Sequence, residues 1–306
     1  MKKGSSTVVK EDPVVVDDSF CEVFSAHFAR ILITAATSRW AMESALETKG
    51  LGRSATLPPS EAFIEREAQL AESPDGRPGY ILQIADRKRT ELEHWLVARI
   101  RKGVLPIPTT AVFDMFPRDR VEWSVKVQNT PIQLFGDGYE EVINIFGRRM
   151  YRIPRMDGFF HIENEFGIGK GVAGGNFLIM ADSRGSALLA GEMAVDAIKE
   201  VPYVTGRVAA SGSKVGGRSY QNAVATTNDP FCPCISDKVS HSEVGSDVNC
   251  VYEIIVNGLD LEHVKAAMKA GLERAKAVHG VKKITAGNYG GKLGSGRIYL
   301  RDLVGE

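Results

Sequence analysis

The sequence predicts an α+β fold in which one β-α-β-β-α-β pattern occurs twice. Apolar, β-leaning runs alternate with stretches of helical periodicity in the same order in both halves. Helical stretches open at capping residues and close at glycines. With 43% apolar residues and 31 glycines among 306 residues, the chain has core material for one large or two medium domains.

In the first half, residues 29–36 form an apolar run, and Ser38 is placed to cap a helix that carries Trp40, Met42, Ala45 and Leu46 and stops at Gly50. A loop rich in Pro and Ser leads to a strand at 80–85. Thr90 and Glu93 have capping-box spacing ahead of Leu92, Leu96 and Ile100, which share one helical face; Gly103 follows, and 109–113 reads as the closing strand. The second half repeats the order. A strand at 176–180 precedes a helix opened by Ser183, with Leu189, Met193 and Ala197 expected on its inner side, and 207–210 and 252–256 are extended. Asp260 caps a helix with Val264, Met268, Leu272 and Ala275 facing inward, and Gly280 ends it before a strand at 283–286. Residues 117–171 remain as insertion and linker, with a turn signal at Asp137-Gly138 and a hairpin-like segment at 150–153.

This order is the split β-α-β arrangement of ferredoxin-like folds, in which two helices cover one face of a mostly antiparallel sheet. The expected division is an N-terminal extension at 1–18, a first ferredoxin-like lobe with its insertion at 19–155, and a second lobe at 156–306, the two related by internal duplication.

Composition excludes several function classes. Thirty-eight basic residues balance thirty-eight acidic ones, so no net field draws the chain to nucleic acid or to an anionic membrane. The basic clusters Arg87-Lys88-Arg89 and 99–102 are expected to be solvated helix faces. Residues 1–18 lack a signal-peptide core, and no segment approaches the roughly 20 apolar residues needed to span a bilayer, so a cytoplasmic protein is expected. Its four cysteines then need no disulfide.

Common motifs fail on context. Gly169-Lys170-Gly171-Val172-Ala173-Gly174 spells a dinucleotide fingerprint but leads into a strand, where that motif must open a helix. The run 287–293 lacks the first glycine and the hydroxyl residue of a phosphate loop. Cys232, Cys234, Cys250 and His241 match no usual zinc spacing, so no metal is expected and these cysteines are read as filling small apolar gaps. No nucleophile elbow occurs, and the histidines are scattered.

Two features remain. Ala173-Gly174-Gly175-Asn176-Phe177 and Ala286-Gly287-Asn288-Tyr289 both place Ala-Gly, an Asn and an aromatic at a strand end, where missing side chains let a ligand or another backbone come close; tight turn packing is the alternative. Glu253 sits inside the apolar strand Cys250-Val251-Tyr252-Glu253-Ile254-Ile255-Val256, with no Lys or Arg near it along the chain. A buried carboxylate finds a partner or keeps its proton, and a protonated acid can donate a hydrogen bond to an oxyanion. Pairing across the sheet with a distant Arg or Lys is the alternative.

These segments, together with Pro74-Asp75-Gly76-Arg77-Pro78-Gly79, Phe135-Gly136-Asp137-Gly138-Tyr139, Thr227-Asn228-Asp229 and Gly290-Gly291-Lys292-Leu293-Gly294, resemble the formylmethanofuran:tetrahydromethanopterin formyltransferase family over nearly the whole chain. The resemblance implies an enzyme without a prosthetic group that moves a formyl group reversibly between methanofuran and N5 of tetrahydromethanopterin. It implies a homo-oligomer, dimer or tetramer, and Glu253 as the protonated acid that stabilises the tetrahedral oxyanion. Overall neutrality and the N-terminal extension liken the chain to members from methylotrophic bacteria, which implies formylmethanofuran hydrolase subunits as partners. Within the matched blocks, Asn176, Thr227, Asn228, Asp229, Asn288 and Lys292 are the expected cleft wall, although each could equally cap a turn. The competing class is a non-catalytic module on the same fold that binds the cofactors or serves as a scaffold.

Overall fold

The computed structural model describes residues 13–50, 60–213, 228–288 and 290–304. In chain order the first half contains β1 (Val15–Val16), β2 (Phe20–Thr34), α1 (Ser38–Gly50), β3 (Glu61–Glu67), β4 (Gly79–Asp86), α2 (Arg89–Arg99) and β5 (Ala111–Asp114). A connecting region supplies β6 (Trp123–Lys126), β7 (Glu141–Ile145), β8 (Arg148–Arg155) and β9 (Gly158–Glu163). The second half contains β10 (Glu165–Ala181), α3 (Arg184–Lys199), β11 (Val204–Ala209), β12 (Cys250–Gly258), α4 (Leu261–Lys276), β13 (Val281–Thr285), β14 (Gly296–Tyr299) and α5 (Arg301–Val304).

The sheet is large and mostly antiparallel. In the first half the strands lie in the order β5-β2-β4-β3 and in the second β13-β10-β12-β11, each neighbouring pair antiparallel. Helices α1 and α2 bury the alternate residues Ile31, Ile33, Leu82 and Ile84, while α3 and α4 bury Phe177, Ile179, Ile254 and Val256. Two long strands join the halves: β2 and β10 pair from Ile168↔Ala29 to Ala173↔Phe24, and the far end of β10 then runs into the second sheet. The glycines that imitate a dinucleotide loop lie inside β10. A Cβ at Gly171 would stand 2.6 Å from both the Gly258 carbonyl oxygen and the Phe28 ring, so these glycines serve strand crossing. The termini also cross over. β1 pairs in parallel with β13, and β14 pairs with the first residues of β2.

Several expectations need correction. The first-half loop contains β3, which periodicity missed because four of its seven residues are charged. Glu65 points inward there, neutralised by Arg30. Ser38 does not cap α1; its hydroxyl bonds Glu67 and Tyr80 at 3.0 and 3.1 Å. The Thr90/Glu93 box does not form either, since α2 begins at Arg89 and Glu93 pairs with Arg89 one turn back.

Helix α3 is capped by Ser183, which accepts from Ser186 N, but its buried stripe is Ala187, Ala190, Gly191, Ala194 and Ile198. Leu189 lies half exposed. Small residues win that face because the helix sits close to β11, where a Cβ on Gly191 would already stand 3.0 Å from Val208. Helix α4 has the expected cap, Asp260 accepting from His263 N at 2.8 Å, and the expected buried stripe.

Of the basic cluster at 99–102, Arg99 is buried, donating to the carbonyls of Thr48 and Ser60, and burial pushes its guanidinium down to about 10. Among the described residues no helix is long and apolar enough to cross a membrane.

Candidate functional site

Strand β12 alternates. Ile254 and Val256 enter the core under α3 and α4, so Glu253 and Ile255 stand on the opposite face of the sheet. Glu253 lies opposite Leu178 of β10 and Ala209 of β11, is 7% exposed, and accepts a hydrogen bond from Ser211 Oγ at 3.3 Å. Asn176, opposite Ile255, shares that face. Burial pushes the Cys21 thiol, near Glu253, up to about 11, which makes it a poor nucleophile.

The two glycine turns are tied together by one side chain. Asn176 Oδ1 accepts from Gly287 N at 2.8 Å, and its Nδ2 donates to the carbonyls of Gly287 (3.0 Å) and Gly174 (3.3 Å). Gly174, Gly290 and Gly291 take positive φ angles of 89°, 97° and 69°, which side chains resist. Asn288 Oδ1 accepts from Gly290 N within its own turn. Lys292 is exposed, and its neighbours Leu293 and Gly294 donate backbone N–H groups to the buried Glu22 at 2.7 and 2.8 Å.

Of the other expected wall residues, Asn228 is 8% exposed and turns its carbonyl to Phe231 N and Cys232 Sγ. Asp229 faces His241 at 3.4 Å, and both line a cavity of about 810 Å³ together with Asn288 and Thr285. Thr227 lies outside the described residues. Cys234 is exposed rather than filling a gap, Cys232 is half-buried and Cys250 is buried. Among the described residues no group of three or more His, Cys, Asp or Glu is placed to hold a metal.

A larger cavity, about 870 Å³, opens in the seam between the halves. Ile255, the residue after next from Glu253 and so about 7 Å along the same face, lines it with Arg207, Asn257 and Gly174. The first half contributes Trp95, Arg87 and Lys88. Trp95, Arg207 and Asn257 are not singled out by the sequence, whereas Arg87 and Lys88 are exposed, as a solvated face requires, and also line the cavity. The one available signal was Asn257 at the end of an apolar strand; its Oδ1 accepts from Gly174 N at 2.8 Å and so braces the glycine turn. The cavity is large enough to receive part of a bulky substrate, and Glu253 stands two residues along the strand from its wall.

Residues 158–303 match the family model described as "FTR, proximal lobe", which places the second half among the formyltransferases. Residues 9–155 match "Formylmethanofuran-tetrahydromethanopterin formyltransferase". The formyltransferase of that name from Methanocaldococcus jannaschii is 50% identical over 296 residues, covering 95% of this chain and 98% of its own. The solved Methanosarcina barkeri enzyme is 47% identical with a TM-score of 0.88, over 95% of this chain and 98% of the other. The matching chain of the formyltransferase/hydrolase complex from Methylorubrum extorquens, solved with methylofuran, is 33% identical with a TM-score of 0.85, over 95% and 97%. The chain belongs to the formylmethanofuran-tetrahydromethanopterin formyltransferase family.

Proposed function

We propose that this chain transfers a formyl group reversibly between methanofuran and N5 of tetrahydromethanopterin, its two co-substrates, and that Glu253 acts in its protonated form. The neutral N5 amine attacks the formyl carbon, and the carbonyl oxygen gains negative charge while accepting a hydrogen bond from the Glu253 carboxyl. Collapse expels the methanofuran nitrogen, which takes up a proton as N5 gives one up. The observation that carries this reading is the placement of Glu253, buried on the sheet face that leads into the seam cavity. Positioning of two bulky substrates and stabilisation of the oxyanion then supply the catalysis.

The same reading takes each half as a ferredoxin-like lobe derived by duplication, supported by the matching strand orders, with divisions at 1–18, 19–155 and 156–306. It also takes the protein to be a homo-oligomer, dimer or tetramer, that works with formylmethanofuran hydrolase subunits to release formate; the hydrolase partnership, though not the oligomeric state, is supported by the formyltransferase/hydrolase complex of the Methylorubrum relative.

Mixing the purified protein with formyl-tetrahydromethanopterin and methanofuran and following the pterin absorbance tests the activity. Turnover separates an enzyme from a binding module. Replacing Glu253 by Ala is expected to slow turnover about 100- to 1000-fold, the usual cost of losing one oxyanion donor. Gln keeps an N–H donor and should cost less. Wild-type turnover in Glu253→Ala would remove the assignment.

A further inference from the structure

A separate cavity of about 370 Å³ is walled by guanidinium groups from four elements: Arg30 on β2, Arg66 on β3, Arg118 in the turn after β5 and Arg148 on β8. Tyr203 of the second half also lines it, its ring 5.0 Å from the Arg30 guanidinium. We propose that this cavity binds a phosphoryl dianion, the head of a phosphate monoester or inorganic phosphate, at a site distinct from the Glu253 face.

Three of the arginines are held in place before any ligand arrives. Arg30 is clamped by Glu65 through two bonds of 2.8 Å and by the Met115 carbonyl at 2.8 Å. Arg66 is locked bidentate to Glu72, and Arg148 reaches Glu163 at 2.6 Å and the Asp114 carbonyl at 3.0 Å. A guanidinium has five N–H donors, so these contacts leave donors over in each case. Arg118 differs: its side chain is 81% exposed and stands 3.6 Å from Glu163, an arm free to fold onto a ligand.

Three carboxylates at or behind the wall are each held by one of these guanidinium groups, Glu72 by Arg66, Glu65 by Arg30 and Glu163 by Arg148, so a ligand meets paired rather than bare acids; Asp114, whose carboxyl burial pushes up to about 6, adds one more charge as pH rises above that value. Geometry favours phosphoryl over carboxylate. One planar fork satisfies a carboxylate, whereas guanidinium groups arriving from four separate elements suit a tetrahedral group with three charged oxygens. The volume accommodates that group with part of an organic substituent.

Titration calorimetry of the full chain with inorganic phosphate, at constant ionic strength, tests the site. Expected results are saturable binding, acetate weaker by about tenfold or more, and a dissociation constant raised about tenfold or more in Arg118→Ala, a replacement on an exposed side chain that leaves the fold intact. Arg207→Gln, in the larger cavity, should bind phosphate as the wild type does. Absence of saturable binding, equal affinity in Arg118→Ala, acetate binding as tightly as phosphate, or a loss caused by Arg207→Gln would each overturn the proposal.

Discussion

The two halves place different chemistry on one frame. Leu32 and Leu178 stand equally far ahead of their helices, which begin at Ser38 and Arg184, and each pairs with β4 or β12, respectively, right after a tyrosine, Tyr80 or Tyr252. The partner of Leu32 is Ile81, whereas the partner of Leu178 is Glu253. The first half keeps its buried charge elsewhere, as Glu65 bound by Arg30 and by Gln83 at 2.9 Å. A carboxylate locked by a guanidinium and an amide is a structural device. Glu253 instead stands on the sheet face that leads toward the seam cavity, where the proposed transfer would use it, so stability should answer to the first and turnover to the second.

The largest expected effect on folding comes from Arg30→Met, which strands Glu65 in the interior and should cost about 3 to 5 kcal/mol in chemical denaturation. Adding Glu65→Leu should recover much of that loss. An Arg30→Met protein that unfolds like the wild type would break the contrast. Asn176, at the position matching Arg30 in the second half, is expected to matter less. Its replacement by Ala removes buried bonds to Gly287 and should cost about 1 to 3 kcal/mol, measured by thermal unfolding.

Smaller still is Asp114, where burial raises the carboxyl to about 6 from 3.8. The native state therefore holds the proton more tightly than the unfolded chain, and this contribution is full below about pH 4 and lost as pH rises through about 6. Asp114→Asn should thus be more stable than the wild type by about 1 to 2 kcal/mol at pH 7, with the gap closing below pH 4; denaturation at both pH values checks the sign. Least perturbing is thiol labelling. At pH 8 the exposed Cys234 should alkylate first, while Cys21, beside the Glu253 site with its thiol pushed up to about 11, should resist until the protein unfolds.

Much of the frame was legible because local rules and tertiary packing agree there. The stripe on α4, its Asp260 cap and the oddity of Glu253 in an apolar strand all follow from neighbours in the chain. What stayed hidden depends on distant partners. β3 looks too charged for a strand until Arg30 arrives from β2, and α3 turns its small residues inward because β11 lies close against it. The resemblance of the two glycine turns was visible, but their joining through Asn176 was not. Trp95 and Arg207 reach one cavity from opposite halves, so no spacing along the chain could pair them.

The most direct test of the central claim is the pH profile of saturated formyl transfer for the wild type and Glu253→Gln, with substrate ionisation controlled. If Glu253 donates a proton to the oxyanion, wild-type turnover declines at high pH as that proton is lost, and the Gln variant, whose amide keeps its hydrogen, loses this decline. A wild-type rate that climbs steadily with pH, or a Gln variant with an unchanged profile, would contradict the account.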